Sequence, residues 1–235
     1  MSAAPLHLAG ELLLLDPEGA VFWPDRRVLA LADLHLEKGS AAAVSGRLLP
    51  PWDSRATIGR LAALLRRYRP GRVVALGDSF HDAGGPARLG NAERARLAAM
   101  AVAVPFLWLH GNHDPEPPTG LPGESAAEWR AGPLVFRHQA GAVRRGEGEL
   151  CGHLHPRAAV MTRGARIARP CFIADARRLL LPAFGAYAGG LDVAAPAVRA
   201  LFPCGGQMFL LGRERLFGFP LPAEARSRGK MPRSE

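Results

Sequence analysis

The sequence predicts an α/β fold, and three observations carry that expectation. Short apolar runs that read as buried strands, Val28 to Ala32, Arg72 to Leu76 and Phe106 to Leu109, alternate with stretches of helical periodicity. Directly after such runs come residues able to do chemistry, in five blocks. They are Asp33-Leu34-His35, Gly77-Asp78, Gly111-Asn112-His113-Asp114, His138 behind Leu134-Val135-Phe136, and Gly152-His153-Leu154-His155. Beyond His155, alternating segments around Arg166 to Ile173 and Arg177 to Leu181 read as antiparallel strands that close a second sheet. The polar blocks therefore collect at the carboxyl edge of a sheet, where open α/β folds place their sites.

The elements follow in chain order. Residues 8 to 33 read as a strand hairpin turned at Asp16-Pro17-Glu18-Gly19, followed by the buried strand Val28 to Ala32. Asp53 reads as a helix N-cap, with Ile58, Leu61, Leu65 and Tyr68 recurring at helical spacing until Pro70-Gly71 stops the helix. Asn91 starts a second helix, which Pro105 ends. The Pro-, Gly- and Glu-rich segment Asp114 to Glu128 reads as an irregular loop, and the polar, basic stretch from about Pro222 as a disordered tail. The expected organisation is one domain over 1–221 and a tail over 222–235, without internal repeats.

Each polar block alone is a weak signal, but together they supply seven donors suited to divalent ions: Asp33, His35, Asp78, Asn112, His138, His153 and His155. Two ions about 3.5–4 Å apart need a carboxylate that can bridge them, and they clamp a phosphate while lowering the pKa of a shared water, whose hydroxide is the nucleophile. Imidazole, carboxylate and amide donors together suit Mn²⁺, Fe, Zn²⁺ or Co²⁺ better than Ca²⁺, and no cysteine enters the set. Mn²⁺ is the favoured ion. His110 reads as a hydrogen-bonded structural histidine, while Lys38 and Arg47 either help hold a phosphate or simply face solvent.

Over about residues 28 to 155 the pattern resembles the calcineurin-like metallophosphoesterases, in which D-x-H, G-D-x-x-[DH], G-N-H-[DE], a lone H and G-H-x-H supply two metal shells. That resemblance implies a four-layer sandwich, two mixed β-sheets flanked by helices. It assigns Asp33, His35 and His155 to one ion and Asn112, His138 and His153 to the other, with Asp78 bridging. His113 would then not be a ligand but would face the scissile phosphate and stabilise or protonate the leaving oxygen. The position three after Asp78 is often an Asp that orients this histidine; here it is His81, with Asp82 next to it, and either stands as the support of His113.

The flanks narrow the resemblance. Asp33 to Gly39, Gly77 to Asp82, and the late Leu181-Pro182-Ala183-Phe184-Gly185-Ala186-Tyr187 with Gly189-Gly190-Leu191-Asp192 are similar to the bacterial ligase-associated DNA-damage-response phosphoesterases, the PdeM group. What this implies is a Mn²⁺-dependent phosphodiesterase or endonuclease acting on DNA, associated with a DNA ligase, a helicase and an exonuclease. A phosphatase or pyrophosphatase of a small nucleotide or lipid-linked metabolite uses the same metal core. A non-catalytic scaffold is disfavoured because His113 and every donor are retained.

Composition agrees with one enzyme domain: 235 residues, 48% hydrophobic, are enough for a full core. No apolar run reads as a membrane span and no signal peptide is apparent, so the cytoplasm is the expected location. Cys151, Cys171 and Cys204 show no metal-ligand spacing and are expected to stay reduced. The net charge of +9 suits a polyanion through counterion release, although an Arg-rich composition also follows from a high genomic G+C content. The sequence leaves open whether the protein forms a homo-oligomer.

Overall fold

A computed structural model describes residues 2–116, 118–162 and 164–223. The expected tail falls outside the described residues except for Pro222 and Ala223, and the Pro222 carbonyl accepts a hydrogen bond from Arg199 Nη2 at 2.6 Å.

The first sheet runs in chain order: β1 (Ala4–Leu8), β2 (Glu11–Leu15), β3 (Val21–Trp23), β4 (Val28–Leu31), β5 (Arg72–Ala75), β6 (Phe106–Leu109) and β7 (Glu124–Ala126). Strands β1 to β4 pair antiparallel, and β4 to β7 pair parallel. Parallel strands need crossovers; α1 (Lys38–Val44) and α2 (Asp53–Tyr68) lie on the one from β4 to β5, and α3 (Gly85–Arg88) and α4 (Asn91–Ala103) on the one from β5 to β6. The second sheet is also mixed. Its order is β15 (Leu216–Leu221), β14 (Gly206–Leu211), β12 (Ala165–Ala174), β13 (Arg178–Leu180), β10 (Gly148–Cys151), β9 (Leu134–Arg137) and β8 (Glu128–Ala131), with β11 (Arg157–Thr162) paired to β12. Within it, β9, β10 and β13 are mutually parallel neighbours.

The layers follow from which face each apolar side chain covers. Val28, Ala30, Val74 and Leu107 of the first sheet meet Leu134, Phe136, Leu150 and Phe172 of the second in one core between the sheets. The alternate residues Leu29, Leu31, Val73 and Ala75 face Ile58, Leu61, Leu64 and Leu97 of α2 and α4. On the far side, Cys151, Cys171 and Ile173 meet Val198 and Phe202 of the short α5 (Pro196–Leu201) and its end. Helix, sheet, sheet, helix is the expected four-layer sandwich. The strands β4, β5 and β6 are buried on both faces, hence their near-continuous apolar sequences.

Local expectations are corrected in three places. Asp53 is the first residue of α2 rather than its cap; the cap is Trp52, and the Asp53 carboxylate accepts the Gly39 amide at 3.0 Å. The segment Asp114 to Glu128 is not wholly irregular, because β7 adds to the sheet edge through three exposed or half-buried residues that show no apolar pattern. Strand β1 also lies ahead of the expected hairpin; as an edge strand it tolerates Pro5 on its exposed side. The hairpin β2–β3 does turn at Asp16 to Gly19, where Asp16 Oδ1 accepts the Glu18 amide at 2.8 Å.

Candidate metal centre

All five blocks emerge from carboxyl ends that point the same way. Asp33 and His35 follow β4, Asp78 follows β5 and Asn112 follows β6, three parallel neighbours in one sheet. His138 follows β9 and His153 and His155 follow β10, parallel neighbours in the other. With the sheets stacked face to face, the donors meet at one rim of the sandwich. The loops are stitched together beyond the strands: the amides of His35 and Leu36 donate to Asp78 and Ser79 carbonyls at 2.9 Å each, and Gly152 N donates to His138 O at 3.0 Å. The late segment joins them, as Phe184 N donates to Ala32 O at 2.8 Å and Gly185 N to Asp33 O at 3.0 Å.

Two clusters result. Asp33, His35 and His155 bring one ligand atom each within 4.8 Å of one another, and Asp78, His138 and His153 do the same. His35 Nε2 lies 3.2 Å from His155 Nε2, and His155 Nε2 lies 3.4 Å from Asp33 Oδ1. In the second cluster His138 Nε2 is 3.2 Å from His153 Nδ1, 3.4 Å from Asp78 Oδ2 and 2.9 Å from Asn112 Oδ1. Donor atoms bound to one ion at about 2.0–2.1 Å stand about 3.0–3.4 Å apart, so these spacings suit shared cations. Asp78 lies between the clusters, its Oδ2 3.9 Å from His35 Nε2.

The protonation logic agrees. His138 Nδ1 lies 2.9 Å from the Leu76 carbonyl, which can only accept, so Nδ1 carries the proton and Nε2 presents a lone pair. That lone pair faces the Asp78 carboxylate, Asn112 Oδ1 and His153, an arrangement of acceptors that a cation reconciles. Burial, then the neighbouring His155, His81, Lys38 and His113, press the His35 imidazole down to about 2, which keeps it neutral and ready to ligate. Burial and His138 lower His153 likewise. Asp114 is pushed up to about 7, first by burial and also by the Asp78 charge; it holds the Phe80 amide at 3.0 Å and so ties the Asn112 loop to the Asp78 loop.

Backbone strain concentrates here. Among described non-glycine residues with positive φ are Asp33 (54°), His35 (42°), Asp78 (46°), His153 (72°) and His155 (45°), with Glu37 (65°) beside them. Asp and His tolerate this region better than most residues, but each still adopts a sparsely populated conformation. Two glycines make the close approach possible. A Cβ on Gly111 would lie 2.2 Å from the Asp78 amide nitrogen, and one on Gly152 would lie 2.5 Å from Asp33 Oδ2.

The remaining site residues divide. The His113 ring is 43% exposed, with Nε2 4.0 Å from Asp78 Oδ2, while its amide donates to Asp78 Oδ1 at 2.9 Å. His81 stacks on it, ring centroids 5.3 Å apart and 17° from parallel. Asp82 instead pairs with Arg88 at 2.7 and 2.8 Å. His110, expected to be hydrogen-bonded, makes no ring hydrogen bond among the described residues and lines a cavity with Asn112, Arg137 and His138.

Several supporting residues gave no sequence signal. Glu149, fully buried on β10, accepts the Gly141 amide at 2.8 Å and is hydrogen-bonded by Arg178. Arg137, next to His138, brings Nε to 2.9 Å from Glu149 Oε1, an ion pair without hydrogen-bond alignment. Ser54 of α2 takes the Glu37 amide at 2.8 Å and donates to the Glu37 carboxylate at 2.7 Å, fixing the loop after His35.

Comparison with known proteins gives a family and similar solved structures. The solved structure of the Pseudomonas putida nuclease MPE matches with a TM-score of 0.73 at 28% identity, covering 92% of this chain and all of that one. A phosphoesterase from E. coli, Yfce, matches with a TM-score of 0.41 at 14% identity, covering 83% of this chain and 98% of that one. No curated protein sequence matches the chain. The family model described as calcineurin-like phosphoesterase matches residues 26–176, the span from β4 to β12 that carries every donor, and the chain therefore belongs to that family.

Proposed function

We propose that the protein is a binuclear metal-dependent phosphodiesterase that cleaves DNA as an endonuclease. The observation that carries this reading is the pair of acid and imidazole clusters meeting at Asp78, beneath an exposed histidine. Asp33, His35 and His155 would hold one ion, Asn112, His138 and His153 the other, and Asp78 both. When bound, such ions clamp the phosphate and activate the attacking water.

The chain's own residues then divide the work. Asp33 is oriented by the His153 amide, which lies 3.0 and 3.2 Å from its two oxygens. His113, held by its backbone to Asp78, presents its ring to the leaving oxygen to stabilise or protonate it as the P–O bond breaks. His81 keeps that ring in place by stacking; Asp82, engaged by Arg88, acts only on the loop. DNA as substrate is supported by the nuclease neighbour, which matches over its full length, and by the +9 charge. Mn²⁺ as the ion, a cytoplasmic location and association with a ligase, a helicase and an exonuclease belong to the same reading.

Mn²⁺-loaded protein assayed on bis-p-nitrophenyl phosphate, p-nitrophenyl phosphate and defined DNA tests it. Hydrolysis of the diester and of DNA ahead of the monoester is expected. Monoesterase activity alone, with no affinity for DNA at low salt, would overturn the DNA reading and leave a phosphatase.

A further inference from the structure

We infer that Lys38 and Arg47 form a second phosphate subsite beside the metal centre, taking the phosphate that neighbours the scissile one in a polynucleotide, with its base against the apolar rim of residues 44–52. This rests on the DNA reading above.

A cavity of about 260 Å³ is lined by Lys38, Ala42, Arg47, Leu49, His81 and Asp82, among others. His81 is its common wall with the metal centre: its Nδ1 is 3.5 Å from His35 Nδ1, and its ring stacks on His113. A strand with one phosphate at the donors therefore has a neighbouring phosphate within reach of this cavity.

The charge balance selects an anion. Among the described residues no carboxylate stands within 4.0 Å of the Lys38 or Arg47 cation; the Asp53 carboxylate acts on Lys38 only from farther away, and less than Arg47 does. Asp82, the carboxylate in the wall, is satisfied by both Arg88 hydrogen bonds, and Arg88 Nε is fixed on Ser40 Oγ at 2.9 Å. Solvated surface cations would be the plain alternative, but Lys38 is half-buried and Arg47 lines the same cavity and repels it, a like-charge arrangement that an anion relieves.

The rim selects the kind of anion. Val44 (77% exposed), Leu48 (91%), Leu49 (41%) and Trp52 (65%) all fall on the segment 44–52, which gives Ser45, Arg47 and Leu49 to the cavity wall. Exposed apolar side chains gathered beside a polar cavity are a mark of an interaction site. Cations beside an apolar and aromatic rim match a nucleotide, which offers a phosphate and a flat base together. Inorganic phosphate would leave the rim bare, and an apolar peptide would leave the cations unpaired.

The test measures binding of a fluorescein-labelled mixed-sequence oligonucleotide across a salt series with chelator present. It also measures the ratio of DNA cleavage to bis-p-nitrophenyl phosphate hydrolysis with Mn²⁺. The Lys38→Met/Arg47→Gln double variant should bind about 10-fold more weakly at low salt. Its slope of log K against log salt should shrink by about 0.7, the contribution of one single-strand phosphate. Its DNA-to-small-diester ratio should fall about 10-fold, because the small diester has no second phosphate. Trp52→Ala should weaken binding about five-fold or more with the slope unchanged. Should the double variant fold poorly, Arg47→Gln alone, at an exposed position, gives the same readings in smaller measure. An unchanged slope and ratio, or equal losses on DNA and the small diester, overturn the subsite. Loss of salt slope with Trp52→Ala silent overturns the base contact. A wild-type protein that does not bind DNA at all overturns the function proposed above instead.

Discussion

Asp78 is the residue on which both clusters depend, since its carboxylate stands within 3.4 Å of one imidazole and 3.9 Å of another in the opposite cluster. Asp78→Ala should therefore lose both ions, and it also frees the His113 amide. Elemental analysis should find two equivalents in the wild type and well under one in the variant; two equivalents in Asp78→Ala would contradict the bridging role. His113→Ala should keep its metal and lose about 10²–10⁴-fold in rate on DNA. The loss should shrink with p-nitrophenolate as the leaving group, which needs no proton. Equal losses for good and poor leaving groups would leave charge stabilisation as the role of His113. The His35 imidazole yields a pH prediction for metal-free protein. Its folded value, near 2, lies below the ordinary 6.5, so the unfolded chain takes up the proton first. The corresponding stability is present above pH 6.5 and is lost as pH falls from there toward 2. Urea midpoints should drop between pH 7.5 and 5 with chelator present, and less so in His35→Asn; identical pH profiles for the two proteins would refute it.

At the scale of elements, the donors were legible because each follows an apolar strand and glycine or histidine marks the turn, a pattern that chemistry and backbone geometry impose together. What holds those donors was not legible. Glu149 sits in the short β10, Gly148 to Cys151, where a lone acid looks like a strand's solvent-facing residue; only the paired sheet brings Arg137 and Arg178 to it. Asp53 has the composition of a cap, yet its partner is Gly39, fourteen residues upstream, which no local pattern reveals. Strand β7 lacks any periodicity because it is an exposed edge. The Glu149 cluster carries its own prediction. Glu149→Ala leaves two arginines facing a buried void, and should cost about 3–5 kcal/mol of stability by urea unfolding. Because Arg137 adjoins His138, metal affinity should fall with it; a variant as stable as wild type would remove Glu149 from the account.

For the whole molecule, the decisive feature is that neither sheet builds the centre alone. The first sheet supplies Asp33, His35, Asp78 and Asn112, and the second supplies His138, His153 and His155. A second sheet was foreseeable from the alternating segments after His155 and its packing in a sandwich from the family resemblance, and the late segment's link to Ala32 and Asp33 explains why residues far along the chain reach the site. Charge acts at the same scale. DNA binding should weaken steeply between about 50 and 200 mM salt as phosphates release counterions. It should survive Asp78→Ala in part, since arginine and lysine contacts need no metal. Binding that is insensitive to salt would exclude the polyanion reading.

The left-handed backbone at five donor positions has a thermal consequence. Non-glycine residues held there cost about 1–2 kcal/mol each, and without ions the crowded lone pairs add to that cost. The resting polypeptide is thus least comfortable where it is most useful. His153→Gly, at φ 72°, removes both the unfavourable conformation and one repelling donor. In chelator its melting temperature should equal or exceed that of the parent, while with Mn²⁺ the order should reverse. Melting curves that keep one order in both conditions would show that the ions do not repay the distortion.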